Sequence, residues 1–300
     1  MHYLCIRNDK NSYNQYGVGT GSIGACRALR AEYYCLMTMI DNRNLIIRVG
    51  RNSLAFSTTS ASDVVYEPYP LNNSISMAAN LREALRTVPL LSETFRKTMV
   101  MVDAPVLMMP TDLFREDEQE QLYRHAFSET AQPEVVLHTV FPDLSCVAVF
   151  AIHKDLQTVV TDAFGDARFI PVSAPVWRHL HQRSYTGRHQ KLYGYCHDRR
   201  LEVFSYGQNR FKFCNSYSAN DPHDVLYYLL SAWKQLGMEA ERDELYLVGD
   251  IPERDALLEE SRSFVKRVFY INPSGEFNRS AVTQIAGMPY DLMTLYVKGR

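Results

Sequence analysis

The feature that most constrains the fold of this chain is an order of predicted elements that occurs twice. The stretches 45–115 and 191–260 each predict three strands, a helix, a buried strand and a second helix. The first strand recurs 146 residues later, from Leu45 to Lys191, and the buried strand recurs at the same interval, from Met99 to Leu245. Equal intervals at two separate elements indicate one architecture used twice in tandem.

The first repeat opens with a hairpin whose apolar strands flank the short turn 50–53. Asn73 or Ser74 is the predicted N-cap of the first helix, Pro89 marks its end, and Pro110 is predicted to open the second helix. The predicted strands are Leu45–Val49, Leu54–Thr58, Val64–Tyr66 and Met99–Val102.

The second repeat follows the same order. Asp221 is the predicted N-cap of its first helix, with Pro222 at the first helical position and Gly237 at the end, and Pro252 is predicted to open the last helix. The predicted strands are Lys191–Tyr195, Leu201–Ser205, Arg210–Phe213, Leu245–Val248 and Val268–Ile271. Between the repeats we predict a hairpin of Val135–Phe141 and Val147–Ile152, a helix over Lys154–Phe164, a strand over Arg168–Val172, a helix from Pro175 and a linker at 184–190.

Composition excludes several classes of protein. A net charge of −2 over 300 residues gives no overall field to attract nucleic acid, so no nucleic-acid partner is expected. The longest apolar stretch, 135–152, is interrupted by His138, Pro142 and Asp143, so no membrane span is predicted. The six cysteines are far apart and form no C-x-x-C pair, which favours reduced thiols and a cytoplasmic location over disulfides or a metal site.

Residues 1–40 differ from the rest of the chain because they lack a sustained apolar period. We predict that they form a disordered extension, or that translation starts at Met37 or Met39 and the preceding residues are upstream sequence. The alternative is a genuine extension with a helix around 25–34.

A G-x-G-x-x-G pattern lies within this segment, at Gly19, Gly21 and Gly24, with Asp41 downstream. In a dinucleotide-binding fold such glycines let the backbone approach a pyrophosphate, and the acid binds the ribose. That fold needs a buried strand directly before the glycines, whereas residues 11–16 are polar. The pattern therefore gives only an alternative hypothesis, a dinucleotide-binding enzyme.

Two tandem domains of this kind resemble the actin-like ATPase superfamily, which includes actin, the large heat-shock chaperones, sugar kinases and the bacterial proteins FtsA and PilM. Within it, Val102–Pro105 and Met109–Phe114 resemble a bacterial domain-of-unknown-function family assigned to that fold. The resemblance covers residues 42–298. It implies an α/β fold of two ribonuclease H-like, actin-like domains, 41–186 and 187–300, around a cleft.

In that superfamily two hairpin turns and a later loop hold ATP with Mg²⁺, and the hairpin turns of this chain depart from the family pattern. The first keeps Gly50 and Ser53, but Arg48 stands where the family has an aspartate that contacts the Mg²⁺ shell. The second, 196–200, has no glycine, so its side chains would obstruct close approach of the backbone to phosphate.

The adenosine loop of the superfamily has two glycines, of which this chain keeps Gly249 and replaces the second by Asp250. Asp103 and Asp250 follow equivalent buried strands, so the two carboxylates could flank a shared cleft. The alternative is that each aspartate caps the helix expected after it.

Four arginines are candidates for binding some other anion in the cleft. The alternative is that they are simply solvated, as polar turn residues commonly are. They are Arg48, Arg51, Arg199 and Arg200.

All three nucleotide loops are altered while the scaffold pattern is kept, and function depends on sites more than on folds. The leading hypothesis is a pseudo-ATPase: a non-catalytic scaffold or adaptor with no cofactor, which binds a protein partner through the cleft or the domain surface. The first alternative is a functional actin-like ATPase that uses ATP and Mg²⁺. The second is the dinucleotide-binding enzyme.

Overall fold

The computed structural model describes residues 44–60, 63–127, 132–185, 189–207 and 210–297. The predicted extension at 1–40, the alternative start sites and the glycine pattern at 19–24 lie outside these ranges. Among the helices of the described ranges, none has the length and apolar run needed to cross a bilayer.

The elements of the described chain follow the tandem order predicted, except that a further strand comes after the buried strand of the first repeat. The strands are β1 (Leu45–Val49), β2 (Leu54–Ser60), β3 (Asp63–Tyr69), β4 (Thr98–Val102), β5 (Val106–Pro110), β6 (Glu134–Phe141), β7 (Cys146–His153), β8 (Ala167–Pro171), β9 (Lys191–His197), β10 (Arg200–Gly207), β11 (Arg210–Ser218), β12 (Glu244–Gly249) and β13 (Arg267–Tyr270). The helices are α1 (Met77–Thr87), α2 (Gln119–Ala126), α3 (Lys154–Phe164), α4 (Ala174–Ser184), α5 (Pro222–Gln235), α6 (Arg254–Arg262), α7 (Pro273–Glu276) and α8 (Tyr290–Tyr296).

Two five-stranded sheets have the same topology. The first has the order β3-β2-β1-β4-β8 and the second β11-β10-β9-β12-β13. In each, a central strand pairs antiparallel with its hairpin partner and parallel with the buried strand. Leu45 pairs with Thr98, and Lys191 pairs with Glu244, so the 146-residue interval holds in the strand register itself.

A third, smaller sheet of order β5-β7-β6 corrects one prediction. Pro110 does not open a helix. It ends β5, an edge strand, where a residue without an N–H is tolerated. The helix α2 begins only at Gln119, after a short 3₁₀ turn over Glu116–Glu118. The apolar run 106–109 before the proline was the signal for a strand.

Helix ends show which capping signals were sufficient. Asp221 caps α5 as predicted, since its carboxylate accepts from the Asp224 N–H at 3.0 Å. In α1 the cap is Ser76, whose hydroxyl accepts from the Ala79 N–H, and not Asn73 or Ser74.

One apolar core joins the two large sheets. It contains Ile46 from β1, Trp177 from α4, Tyr193 from β9, Phe211 from β11 and Leu292 from α8, all nearly or fully buried. The last helix, α8, packs against α4 and thereby returns the end of the chain to the first half. The hairpin turns after β1 and β9 consequently lie beside each other, and this position defines the candidate site.

Candidate functional site

Arg48 lies at the centre of the contact between the two hairpins. It is the fourth of the five residues of the buried strand β1, and only 3% of it is exposed. Its Nη2 donates to Asp198 in the β9–β10 turn at 2.8 Å, and its Nη1 donates to Ser53 in the β1–β2 turn at 2.8 Å. Ser53 in turn donates to the other oxygen of Asp198 at 2.7 Å. The three side chains hold the two hairpin turns together.

Asp291 is the second carboxylate on Arg48. It lies on α8, is fully buried, and accepts from Arg48 Nε at 2.9 Å and from Nη2 at 2.8 Å. The hydroxyl of buried Tyr195 donates to the same carboxylate at 2.6 Å. The guanidinium therefore ties three elements together, and charge-assisted hydrogen bonds of this kind are the stronger ones in proteins.

The charge states of this network follow from its contacts. Burial lowers the pKa of Arg48, but the charge of Asp291 and its hydrogen bonds outweigh that, and the pKa lies well above its usual value. Burial would raise the pKa of Asp198, yet hydrogen bonds from His197, Arg48 and Ser53 hold it well below its usual range. Arg48 and Asp198 are thus a permanent ion pair at neutral pH.

Glycine is required at two positions for these close contacts. A Cβ on Gly50 would lie 2.2 Å from Ser53 Oγ and 2.6 Å from Asp198 Oδ2. Gly249 has a φ of +93°, and a Cβ there would lie 2.1 Å from the Cys196 carbonyl oxygen. The sequence singled out Gly50 as a phosphate-loop position and Gly249 as an adenosine-loop position, and here both make room for protein groups.

A second cluster of polar side chains lies next to the first, around Asp103. Arg200 Nε forms an ion pair with Asp103 at 3.2 Å, and its Nη1 donates to Ser216. The imidazole of His197 lies between Asp198, 3.5 Å from Nδ1, and Glu202, 3.8 Å from Nε2. Burial lowers the pKa of His197, but its contacts with Asp198 and Glu202 raise it to about 9.

The remaining predicted candidates lie at the margin of this site. Arg51 is exposed and donates to Ser218 at 3.0 Å. Asp198 and Arg199 form the tight two-residue turn, with φ values of 44° and 58°, as a type I′ hairpin turn requires. The guanidinium of Arg199 is on an exposed residue and Arg200 is half-buried, so the two neighbours have different surroundings.

The hypothesis that Asp103 and Asp250 cap helices is wrong. The strand β5 follows Asp103 in the chain, and the helix α6 begins only at Arg254, where Glu253 is the N-cap and makes no side-chain capping bond. Asp103 instead faces Arg200. Asp250 is exposed at the edge of a cleft of about 570 Å³ that is also lined by Arg48, Asp198 and Tyr290.

Asp291, Tyr195 and Glu202 are site residues that the sequence did not single out. Asp291 is 243 residues from Arg48 along the chain, so no local pattern connects the two. One signal was present: an aspartate within the otherwise largely apolar stretch 288–296, where an ionised group needs a partner.

The comparisons with known proteins agree with this architecture. The sequence profile of the family "Protein of unknown function (DUF3822)" matches residues 37–268. A search of curated proteins finds no match.

Among solved structures, a protein from Bacteroides thetaiotaomicron with an actin-like ATPase fold and unknown function is 25% identical, with a TM-score of 0.72, and the match covers 83% of this chain and 98% of that one. The PilM–PilN type IV pilus biogenesis complex matches at 11% identity with a TM-score of 0.50, covering 84% of this chain and 96% of that one. The fold is the actin-like ATPase fold, as the resemblance implied.

Proposed function

Because this chain belongs to the DUF3822 family and has the actin-like ATPase fold, we propose that it uses that fold as a non-catalytic scaffold for a protein partner. One observation carries the first half of the proposal. The guanidinium of Arg48 joins the two hairpins at the place where the superfamily pattern has a Mg²⁺-binding carboxylate. The scaffold is then a pseudo-ATPase, with no nucleotide cofactor.

The residues at the hairpins do not fit a triphosphate with its metal. Arg48 is a cation and would repel Mg²⁺, which binds oxygen ligands. The space beside Gly50, where a backbone cradle would face phosphate, is filled by Ser53, Asp198 and Arg48 itself. An incoming phosphate would have to displace Asp198 and Asp291 from Arg48, and both carboxylates are held by further hydrogen bonds.

We expect the purified chain to show no saturable binding of Mg²⁺–ATP in isothermal titration calorimetry and no release of phosphate from ATP. The reason is the occupied guanidinium and the absence of a carboxylate for Mg²⁺ at position 48. A turnover of about 1 s⁻¹, within the range of ordinary enzymes, would contradict the proposal. So would Mg²⁺-dependent ATP binding, which would favour the alternative of a functional ATPase using the 570 Å³ cleft. A calorimetric titration with NAD, carried out in parallel, tests the alternative of a dinucleotide-binding enzyme.

The second half of the proposal concerns the partner. The matched PilM is solved as a complex with PilN. In this chain an apolar groove of about 340 Å³ lies between β5, α2 and β11. Both β5 and β11 are edge strands among the strands of the described ranges, so each has backbone groups free to pair with an added strand. We propose that this groove takes an extended peptide with apolar side chains.

The lining of the groove supports an apolar peptide over a polar ligand. Met108, Leu122 and Phe213 line it, and Leu113 at its margin is 65% exposed despite being a large apolar side chain. An exposed apolar side chain next to a groove is typical of an interaction site. Lys212 also lines the groove, which favours a partner with an acidic residue near its apolar ones.

We expect short peptides selected from a display library on the immobilised chain to bind about tenfold more weakly to the variant Leu113→Glu, because a carboxylate at the margin disfavours apolar side chains. Fluorescence anisotropy with each labelled peptide measures this. Phe264→Glu is the matched control, since Phe264 is 53% exposed and does not line the groove. Equal loss in both variants, or selected peptides without apolar side chains, would contradict this site.

Free Cys146, Cys196 and Cys214 fit the reducing cytoplasm that we propose as the location of the protein.

A further inference from the structure

Three potential metal ligands meet where the two halves of the chain touch. They are a carboxylate oxygen of Asp103, a ring nitrogen of His197 and a carboxylate oxygen of Glu202, and the three atoms lie within 4.8 Å of one another. Asp103 follows β4 in the first sheet, whereas His197 and Glu202 belong to the hairpin of the second. The cluster is beside the Arg48 network but shares no residue with it.

The ligand atoms of Asp103 and His197 are buried without hydrogen-bond partners within the described ranges. The side chain of Asp103 is only 2% exposed, and its one close polar neighbour in the described ranges, Arg200 Nε at 3.2 Å from Oδ1, forms an ion pair without hydrogen-bond geometry. The Nε2 atom of His197, on a residue 4% exposed, also lacks one there. Buried polar atoms are nearly always paired, and those that are not call for an explanation such as an ion.

The other nitrogen of His197 has the environment found behind metal-ligating histidines. Nδ1 faces Asp198 Oδ2 at 3.5 Å, and Asp198 is fixed by Arg48 and Ser53. Histidine ligands commonly direct one ring nitrogen to a carboxylate while the other binds the metal. The same arrangement here directs Nε2 toward Asp103 and Glu202.

Charge gives an independent reason for a divalent cation. His197, whose pKa is raised to about 9, loses its proton when it binds a metal, and the buried and half-buried groups of the two neighbouring networks then contain four carboxylates and two arginines. They are Asp103, Asp198, Glu202 and Asp291 against Arg48 and Arg200. A divalent cation brings this set to neutrality, and burying an uncompensated charge is costly.

We propose that Asp103, His197 and Glu202 bind a single divalent transition-metal ion, with Zn²⁺ the best fit to one imidazole and two carboxylates. Tetrahedral ligation by nitrogen and oxygen places ligand atoms about 3.4 Å apart. His197 Nε2 and the Glu202 carboxylate oxygen are 3.8 Å apart, so only a small side-chain movement is needed between them. The ion would join the two halves of the fold without any nucleotide. It does not depend on the proposed scaffold function.

The test uses the full chain, treated with chelator and then titrated with ZnCl₂ in calorimetry, with thermal unfolding of each state. We expect one site and a rise in Tm of about 5–10 °C when free Zn²⁺ is 100 times its Kd. His197→Gln and, separately, Asp103→Asn are expected to abolish both effects. His223→Gln is the matched control, since His223 is 82% exposed beside Asp221, and it should bind as the parent chain does.

Three outcomes would overturn the proposal: no binding at one equivalent, binding that both His197→Gln and Asp103→Asn retain, or a thiolate-to-metal charge-transfer band when Co²⁺ replaces Zn²⁺. The band would place a cysteine in the site. Should one variant fail to fold, as circular dichroism reports, the other still decides the matter. Because no nucleotide or peptide is used, the result is separate from the tests of the proposed function.

Discussion

Replacing Arg48 with methionine is expected to lower the free energy of unfolding by about 3–5 kcal/mol, the usual cost of removing one partner from a buried ion pair. The substitution leaves Asp291, which is fully buried, with the Tyr195 hydroxyl alone, and it removes the guanidinium beside Asp198. Urea denaturation followed by circular dichroism measures the loss, because the midpoint and slope give the free energy of unfolding.

The controls for this substitution separate charge pairing from the simple loss of an arginine. Arg51→Met removes an exposed arginine that contacts Ser218, and it should change stability by no more than about 0.5 kcal/mol. The double variant Arg48→Met with Asp291→Asn should cost less than the sum of the two single changes, because the carboxylate that Arg48 pairs with is then absent. Strict additivity would mean that the pair contributes nothing to the fold.

Local patterns in the sequence were sufficient for the repeated architecture. The hairpin strands, the parallel buried strands and the 146-residue interval all follow from apolar runs between turn residues, and each is present with matching register. The Asp221–Pro222 signal likewise located the start of α5 to the residue. These features succeed because each depends on neighbours within a few positions of the chain.

Two predictions, for Pro110 and Asp250, were wrong for the same physical reason. Proline and aspartate each occur in more than one kind of local structure. Pro110 was interpreted as a helix start, but the apolar run before it pairs with β7 and makes it the end of an edge strand. Asp250 was interpreted as a cap, but it lies exposed at the cleft, four residues before α6 begins. Tertiary pairing decided both cases, and propensity alone does not contain it.

The candidate site was predictable only in its outline. Gly50 and Ser53 were selected because they match the family pattern and Arg48 because it departs from it, and the three do lie together. Their partners Asp198 and Asp291 are 150 and 243 residues away from Arg48, so the chemistry of the site depends on how α8 returns to β1. The sequence indicated an unusual cation in a strand and left open what would neutralise it.

The second large effect is expected at Trp177, which holds the two halves of the chain together. Trp177→Ala should lower the free energy of unfolding by about 3–5 kcal/mol, as large-to-small changes in a packed core do. The indole is fully buried on α4 and packs edge-on against two rings. Its ring centroid lies 6.2 Å from that of Phe141 and 5.8 Å from that of Phe211, in the second sheet. Denaturant unfolding measures the loss.

Trp177→Phe is the matched control, and it should cost less than about 1.5 kcal/mol because most of the volume is kept. It also removes an indole N–H that has no hydrogen-bond partner in the described part of the chain. Trp233, in the core of the second sheet, is then the sole tryptophan of the sequence and reports on that half.

Because the core around Trp177 contains residues of both sheets, the fluorescence of Trp233 and the circular dichroism of the whole chain should change at the same urea concentration. Separate transitions, together with a loss below about 1 kcal/mol in Trp177→Ala, would mean that the halves fold independently and that the hairpin contacts at Arg48 alone hold them in register.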